Sequence, residues 1–235
     1  MAGKYKLRSA HTWRGLLEYI NELGFLPLFK NEIAGFSAEE MTFDMPWWSG
    51  VPELDPWYWR EEIARSGEAA YGKFFAGKAG FLSLEWLPVF ANWRRDGYDF
   101  DARWDDGRAN IREKKIMDCF APGSRWMSTE LKQAAGFGKG GEKNYAGITT
   151  LLQMETYLVT ADFRRRVNKR GGEYGMTVAV LAPPEELWGA PLVRERYSEE
   201  PRVSRERVFE RARELFPRAG ESALRHVLGF GGDRF

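Results

Sequence analysis

Arg164, Arg165, Arg166, Lys169 and Arg170 put five cations into seven consecutive positions, a density suited to binding phosphate. Neutralised phosphates release condensed counterions, so such a cluster supplies affinity for a nucleic-acid backbone without reading its sequence. Lys139, Lys143 and Asn144 lie upstream where they would face the same ligand, and Thr150 and Gln153 follow at helical spacing with groups able to reach base edges. Carboxylates also stand in suggestive company. Gln153-Met154-Glu155 sets an amide and an acid around one residue, a pairing that could position and activate water. Its place at a helix end directly before a strand favours instead a Gln153 that faces solvent or DNA. Asp44, Glu53 and Asp55 sit among Trp47, Trp48, Trp57, Tyr58 and Trp59, the mixture needed by a pocket that stacks a base beside an acid. Aromatics at helical spacing more often fill a core. The candidate catalytic residues are Glu155, Asp55 and Asp44, and the candidate stacking residues are Trp47, Trp48, Trp57 and Trp59.

The elements that must position the cations are legible around them. Ser128 is a capping candidate for a short helix through Glu130, Leu131 and Ala135 that stops at Gly136. A glycine-rich turn spans Gly138 to Gly141. A second helical pattern then places Tyr145, Ile148, Leu152 and Thr156 on one stripe, with Lys143, Asn144, Gly147, Thr150 and Gln153 opposite. Gly147 would permit close approach of a backbone. Tyr157 to Phe163 and Tyr174 to Leu181 have strand composition, and Val167-Asn168-Lys169-Arg170-Gly171-Gly172 between them has hairpin chemistry. Helix, turn, helix, hairpin is the order of a winged helix.

Upstream, Thr12 starts a helix carrying Trp13, Leu16, Leu17, Ile20 and Leu23 that ends at Gly24. Asp55-Pro56 opens another through Trp57, Trp59, Ile63 and Ala64. Ser83 introduces Leu84, Trp86, Leu87, Phe90 and Trp93, with Pro88 predicting a kink or a later start. Ala109 to Phe120 predicts a further helix with Ile116, Met117 and Phe120 inward. Downstream, the prolines of residues 183–201 suggest a linker, followed by helices over Ser204 to Phe216 and Ser222 to Leu228, with Gly229 to Phe235 loose unless packed. The expected fold is α+β and mostly α, with an aromatic helical region (1–125), a winged helix (126–188) and a C-terminal helical tail (189–235).

Composition narrows the chemistry. Lys and Arg number 35 against 34 Asp and Glu, for a formal net charge of +1, so affinity for an anion must come from a local patch. Cys119 is the only cysteine, which rules out an internal disulfide and a multi-cysteine zinc site. His11 and His226 are the only histidines and lie near opposite ends, a poor start for a His-based metal centre or a Ser-His-Asp triad. The glycines at 136, 138, 140 and 141 do not match a phosphate loop. Asp96, Asp99, Asp101, Asp105 and Asp106 fail the EF-hand pattern because Arg103 occupies a ligand position. Neither metal nor cofactor is expected. The basic stretch Met1 to Arg8 lacks an apolar signal core, and no apolar run reaches membrane-spanning length, so a cytoplasmic location without membrane contact is the expectation.

Two segments, Tyr71-Gly72-Lys73 through Glu85-Trp86-Leu87-Pro88 and Glu130-Leu131 through the hairpin to Trp188, resemble the AlkZ-like winged-helix family, which includes bacterial DNA glycosylases that remove alkylated or crosslinked bases. The resemblance implies winged-helix repeats around double-stranded DNA and a role in DNA repair. That family excises bases through a Q-x-Q or Q-x-D motif. Here Gln133 and Gln153 are the only glutamines, and the stretch after the first helix reads Gly24-Phe25-Leu26-Pro27-Leu28-Phe29, so the motif is missing. Three expectations follow: a DNA-binding relative, a glycosylase working through a different carboxylate, or a module whose winged helix docks a protein partner.

Overall fold

The computed structural model describes residues 9–230. Helix α1 (Trp13–Leu23) starts where the Thr12 hydroxyl accepts the Gly15 N–H, and it stops at Gly24, φ 95°. A Cβ on Gly24 would sit 2.5 Å from the Trp86 ring, so glycine is required both for the turn and for the packing. Strand β1 (Phe25–Pro27) and helix α2 (Ala38–Met41) follow. Asp55 caps α3 (Pro56–Ser66), which carries proline in its first turn as its sequence predicts.

The first half of the chain, expected to be a helical region, also holds strands. Strands β2 (Ala69–Phe75) and β3 (Lys78–Ser83) form an antiparallel hairpin, and β1 pairs with β3. Six of the seven β2 residues are buried. A strand covered on both faces has no alternation to reveal it. Ser83 closes β3, its N–H donating to Gly24 O, so it does not cap the next helix. That helix, α4 (Leu87–Arg95), begins later, with Pro88 harmless in its first turn, and is buried along its whole length.

Helix α5 (Phe100–Asp105) is capped by Asp99, and α6 (Ile111–Met117), shorter than its pattern suggests, is opened by an Asn110–Glu113 capping box. Strand β4 (Trp126–Met127) precedes α7 (Ser128–Ala134), whose N-cap is Met127, leaving Ser128 as its first residue. Helix α8 (Tyr145–Met154) leads into the hairpin of β5 (Val159–Val167) and β6 (Glu173–Ala182). Residues 183–201 are more than a linker. They hold α9 (Glu185–Trp188) and α10 (Ala190–Val193), and the buried Arg95 guanidinium binds Glu185 Oε1 at 2.5 Å, Tyr197 Oη at 3.2 Å and Thr156 O at 2.7 Å.

Helices α11 (Pro201–Leu215) and α12 (Glu221–Val227) complete the element order. α11 lies on α4, where Asn92 Nδ2 donates to Ser204 Oγ at 3.0 Å. Phe230 packs on Trp93 at 4.4 Å between ring centres, and Arg94 donates to Gly229 O. The basic stretch 1–8, and residues 231–235 of the end expected to be loose unless packed, lie outside the described residues.

The result is an α+β fold around one antiparallel six-stranded sheet, ordered β1-β3-β2-β5-β6-β4. The sheet crosses from the first half of the chain into the second through a single pair, Tyr71 with Thr160. A large core on α1, α3, α4 and β1–β3 extends to α11 and α12, and a smaller one joins α5–α8 to the β6 root.

Candidate nucleic-acid interface

The β5–β6 hairpin has a buried root and a bare tip. Val159, Thr160 and Ala161 are enclosed with Val180, Leu181 and Ala182, whereas residues 164–176 are exposed. Helix α3 clamps the root. Arg65 Nε is 3.0 Å from Asp162 Oδ1, and Thr177 Oγ1 donates to Glu61 Oε1 at 2.7 Å. At the tip Asn168 Oδ1 accepts the Arg170 and Gly172 N–H groups, and Gly171 turns the chain at φ 80°. A register shift between Arg164 and Arg166 marks a bulge in the arginine run, of the kind that sharpens strand twist.

The five cations are not equivalent. Arg164 Nε is spent on Asp162 Oδ2 at 3.0 Å. Burial works against ionisation of Asp162, but hydrogen bonds from Arg164, the Phe163 N–H and Arg65 prevail and hold its carboxyl below the usual range. Arg166 lies over the Tyr174 ring at 5.0 Å. Among the described residues, no acidic side chain pairs with Arg165, Arg166, Lys169 or Arg170. Four cations therefore stand in water on a rigidly rooted arm.

Next to the hairpin root, β4 pairs with β6 through Trp126–Leu181 and Met127–Val180, so α6, β4, α7, α8, β5 and β6 form one connected unit. Tyr145 Oη ties the start of α8 to α7 by donating to Ser128 O at 2.7 Å. Lys139, Lys143 and Asn144 are exposed on the intervening turn. The free face expected on α8 is shorter than its sequence suggests. Gln153 is buried, accepting the Lys73 N–H at 3.3 Å and donating to Thr149 O, while Lys73 Nζ donates to Thr150 Oγ1 at 3.0 Å. Strand β2 covers this side of the helix, so Gln153 faces neither solvent nor a base edge. Gly147 also has an internal reason: a Cβ there would meet the Asn144 amide at 2.4 Å.

The three candidate acids fare differently. Asp55 is fully buried, and its oxygens accept backbone N–H groups of Trp48, Trp57 and Gly50 and the Ser49 hydroxyl. It holds a loop and a helix start, which explains its position without any reactive role. Asp44 lies at the surface beside His11 Nε2 at 3.3 Å and accepts the Ser9 hydroxyl. Glu155 is buried at the end of α8 with Oε1 2.8 Å from Arg103 Nη2, while Oε2 has no hydrogen-bond partner. Burial pushes its carboxyl up to about 7 against the pull of Arg103. It lines a 480 Å3 cavity with Arg95, Tyr98, Arg103, Arg108 and Asn110.

The aromatics also divide. Trp59 is 1% exposed and its Nε1 donates to Glu53 O, so it is core and offers no stacking face. Trp47, Trp48 and Trp57 instead gather around Phe29, with Trp48 62% and Phe29 39% exposed. Residue spacing did not single out Phe29, Arg60, Lys73 or Arg103. Arg94 and Arg95, which end the largely apolar α4, were the available signal, because a buried cation demands partners. Burial lowers Arg94 to about 9.

No helix among the described residues is long and apolar enough to cross a membrane. A family model described as AlkZ related matches residues 10–229. No curated protein and no solved structure matches the chain.

Proposed function

The chain belongs to the AlkZ-related family, and from that premise we propose that it binds duplex DNA, with α6, β4, α7, α8, β5 and β6 acting as a winged helix whose wing grips phosphates. The carrying observation is the exposed tip on which Arg165, Arg166, Lys169 and Arg170 lack acidic partners among the described residues. Unpaired cations on a fixed arm keep their charge for the ligand and lose little freedom on binding. Lys139, Lys143 and the Asn144 end of α8 extend the contact. Because Thr150 and Gln153 are engaged by Lys73, base reading falls to the first turn of α8 and the complex is held chiefly through the backbone. The family relation points to work on damaged DNA.

The test is fluorescence anisotropy with labelled duplex across a salt series, comparing the native chain with a variant carrying alanine at all four free cations. Each phosphate neutralised contributes about 0.9 to the slope of log affinity against log salt, so the four-cation variant should lose about 3.6 from that slope. Equal slopes would refute the wing contact.

One observation favours a second reading, that the chain is a glycosylase. Glu155 combines a carboxyl raised to about 7 with a place on a 480 Å3 cavity, and perturbed groups in cavities are candidates for acid–base work. In that reading its carboxylate takes a proton from water as the water oxygen bonds to C1′, and the C1′–N bond breaks with its electron pair leaving on the cationic alkylated base, which departs neutral. Free base released from alkylated duplex by the native chain, but not by Glu155→Gln, would support it. Release by both would remove Glu155.

A further inference from the structure

The loop before α3 displays aromatic rings where a soluble surface ordinarily carries polar groups. Phe29 lies 6.2 Å from Trp48 at an interplanar angle of 21° and 6.3 Å from Trp57 at 22°. Trp47 leans on both Phe29 and Trp48, at 5.7 and 5.5 Å. Trp48 is held beside these rings in part by its backbone. It adopts φ 59°, a left-handed conformation that costs a bulky residue energy, and its N–H is fastened to Asp55 Oδ1 at 3.0 Å. Strain maintained in order to expose a tryptophan marks a working surface.

This patch adjoins the hairpin. The Arg60 guanidinium carbon lies 3.7 Å from the centre of the Trp57 ring and 4.2 Å from that of Phe163, the residue directly before the arginine run on β5. Ring, guanidinium and ring form a buried bridge from the aromatic patch to the root of the basic arm. Lys30, next to Phe29, is exposed, and its ammonium has no ion-pair partner among the described residues. Flat faces beside free cations are the ingredients of a surface for single strands, because every base offers a π-face and every linkage a phosphate.

We infer that Phe29, Trp47, Trp48 and Trp57 form a stacking surface for unpaired bases, so that the preferred ligand is DNA with a single-stranded segment beside the duplex. This rests on the reading that the hairpin holds DNA. Single-strand stacking requires neither a pocket nor a catalytic group, so it holds whether or not Glu155 is reactive.

The experiment measures binding of an intact duplex and of the same duplex with a five-nucleotide gap carrying 2-aminopurine opposite the gap. The proteins are the native chain, Trp48→Ala, Trp48→Phe and the four-cation alanine variant. Trp48 is exposed enough to be replaced without loss of the core. The native chain should bind the gapped DNA about tenfold more tightly and quench 2-aminopurine, as loss of one stacked base is worth about a factor of ten. Trp48→Ala should lose both effects while binding intact duplex unchanged, and Trp48→Phe should recover most of them. Equal affinity of the native chain for the two DNAs, or a gap preference that survives in Trp48→Ala, would overturn the inference while leaving duplex binding intact. A four-cation variant that binds intact duplex as tightly as the native chain, while keeping a gap preference that depends on Trp48, would instead refute the hairpin reading alone. Absence of binding to either DNA would remove both.

Discussion

Replacing Glu155 with Gln should remove a pH dependence that the fold builds into this chain. The carboxyl stands at about 7 instead of 4.5 because burial outweighs its ion pair with Arg103. Between those values the folded protein keeps a proton that the unfolded chain gives up, so stability falls as pH rises through the window and levels off above it. At about 1.4 kcal/mol per pH unit, the whole displacement amounts to about 3 kcal/mol. Glu113 adds to the effect, and Arg94 works against it. Asp162 and Glu199, held low by their arginines, lose their stabilising contribution only as pH falls into the ordinary carboxylate range, and so act mostly below this window. Urea titrations at pH 5.5, 6.5, 7.5 and 8.5 would give the unfolding free energy of the native chain and of Glu155→Gln. Below about pH 7 the protonated native side chain gives Arg103 no more counter-charge than glutamine does, and above it only the native chain carries the ion pair, so the decisive quantity is the slope. The native protein should lose stability from pH 5.5 to 7.5 while the variant stays level. A variant that retained the native slope would refute the assignment of that proton to Glu155.

Three further predictions concern the interface and its supports. Arg170→Ala should lower the salt slope for duplex binding by about 1, whereas Arg164→Ala should lower it less because Arg164 already neutralises Asp162; equal losses in anisotropy titrations would contradict the unequal pairing of the arm. Asp55→Ala removes the acceptor for three backbone N–H groups, one of them the α3 cap, and should cost about 2–4 kcal/mol in denaturant titrations. Gly80→Ala would drive a Cβ to 2.6 Å from Leu26 O and 2.4 Å from the Phe75 ring, and should cost about 3 kcal/mol by thermal melting as β1 is forced off β3; an unchanged midpoint would mean that this edge of the sheet is not tightly paired.

Much of the chain follows from local chemistry that a sequence exposes directly. Thr12 and Gly24 bound α1, Asp55 with Pro56 opens α3, and the Asn168–Gly172 turn makes the basic arm, since capping and turn formation depend on residues only a few positions apart. The cation cluster is equally local, and so was the phosphate chemistry it implies. The tertiary structure decided what those elements meet. It laid β2 across α8 and thereby removed Gln153 and Thr150 from the free face. It buried Trp59 while leaving Trp48 in water, and set Glu155 against Arg103. These outcomes depend on pairs of residues tens of positions apart, brought together by a sheet whose buried strands carry no alternation, and burial, ion pairing and proton affinity are properties of such pairs rather than of the residues taken singly.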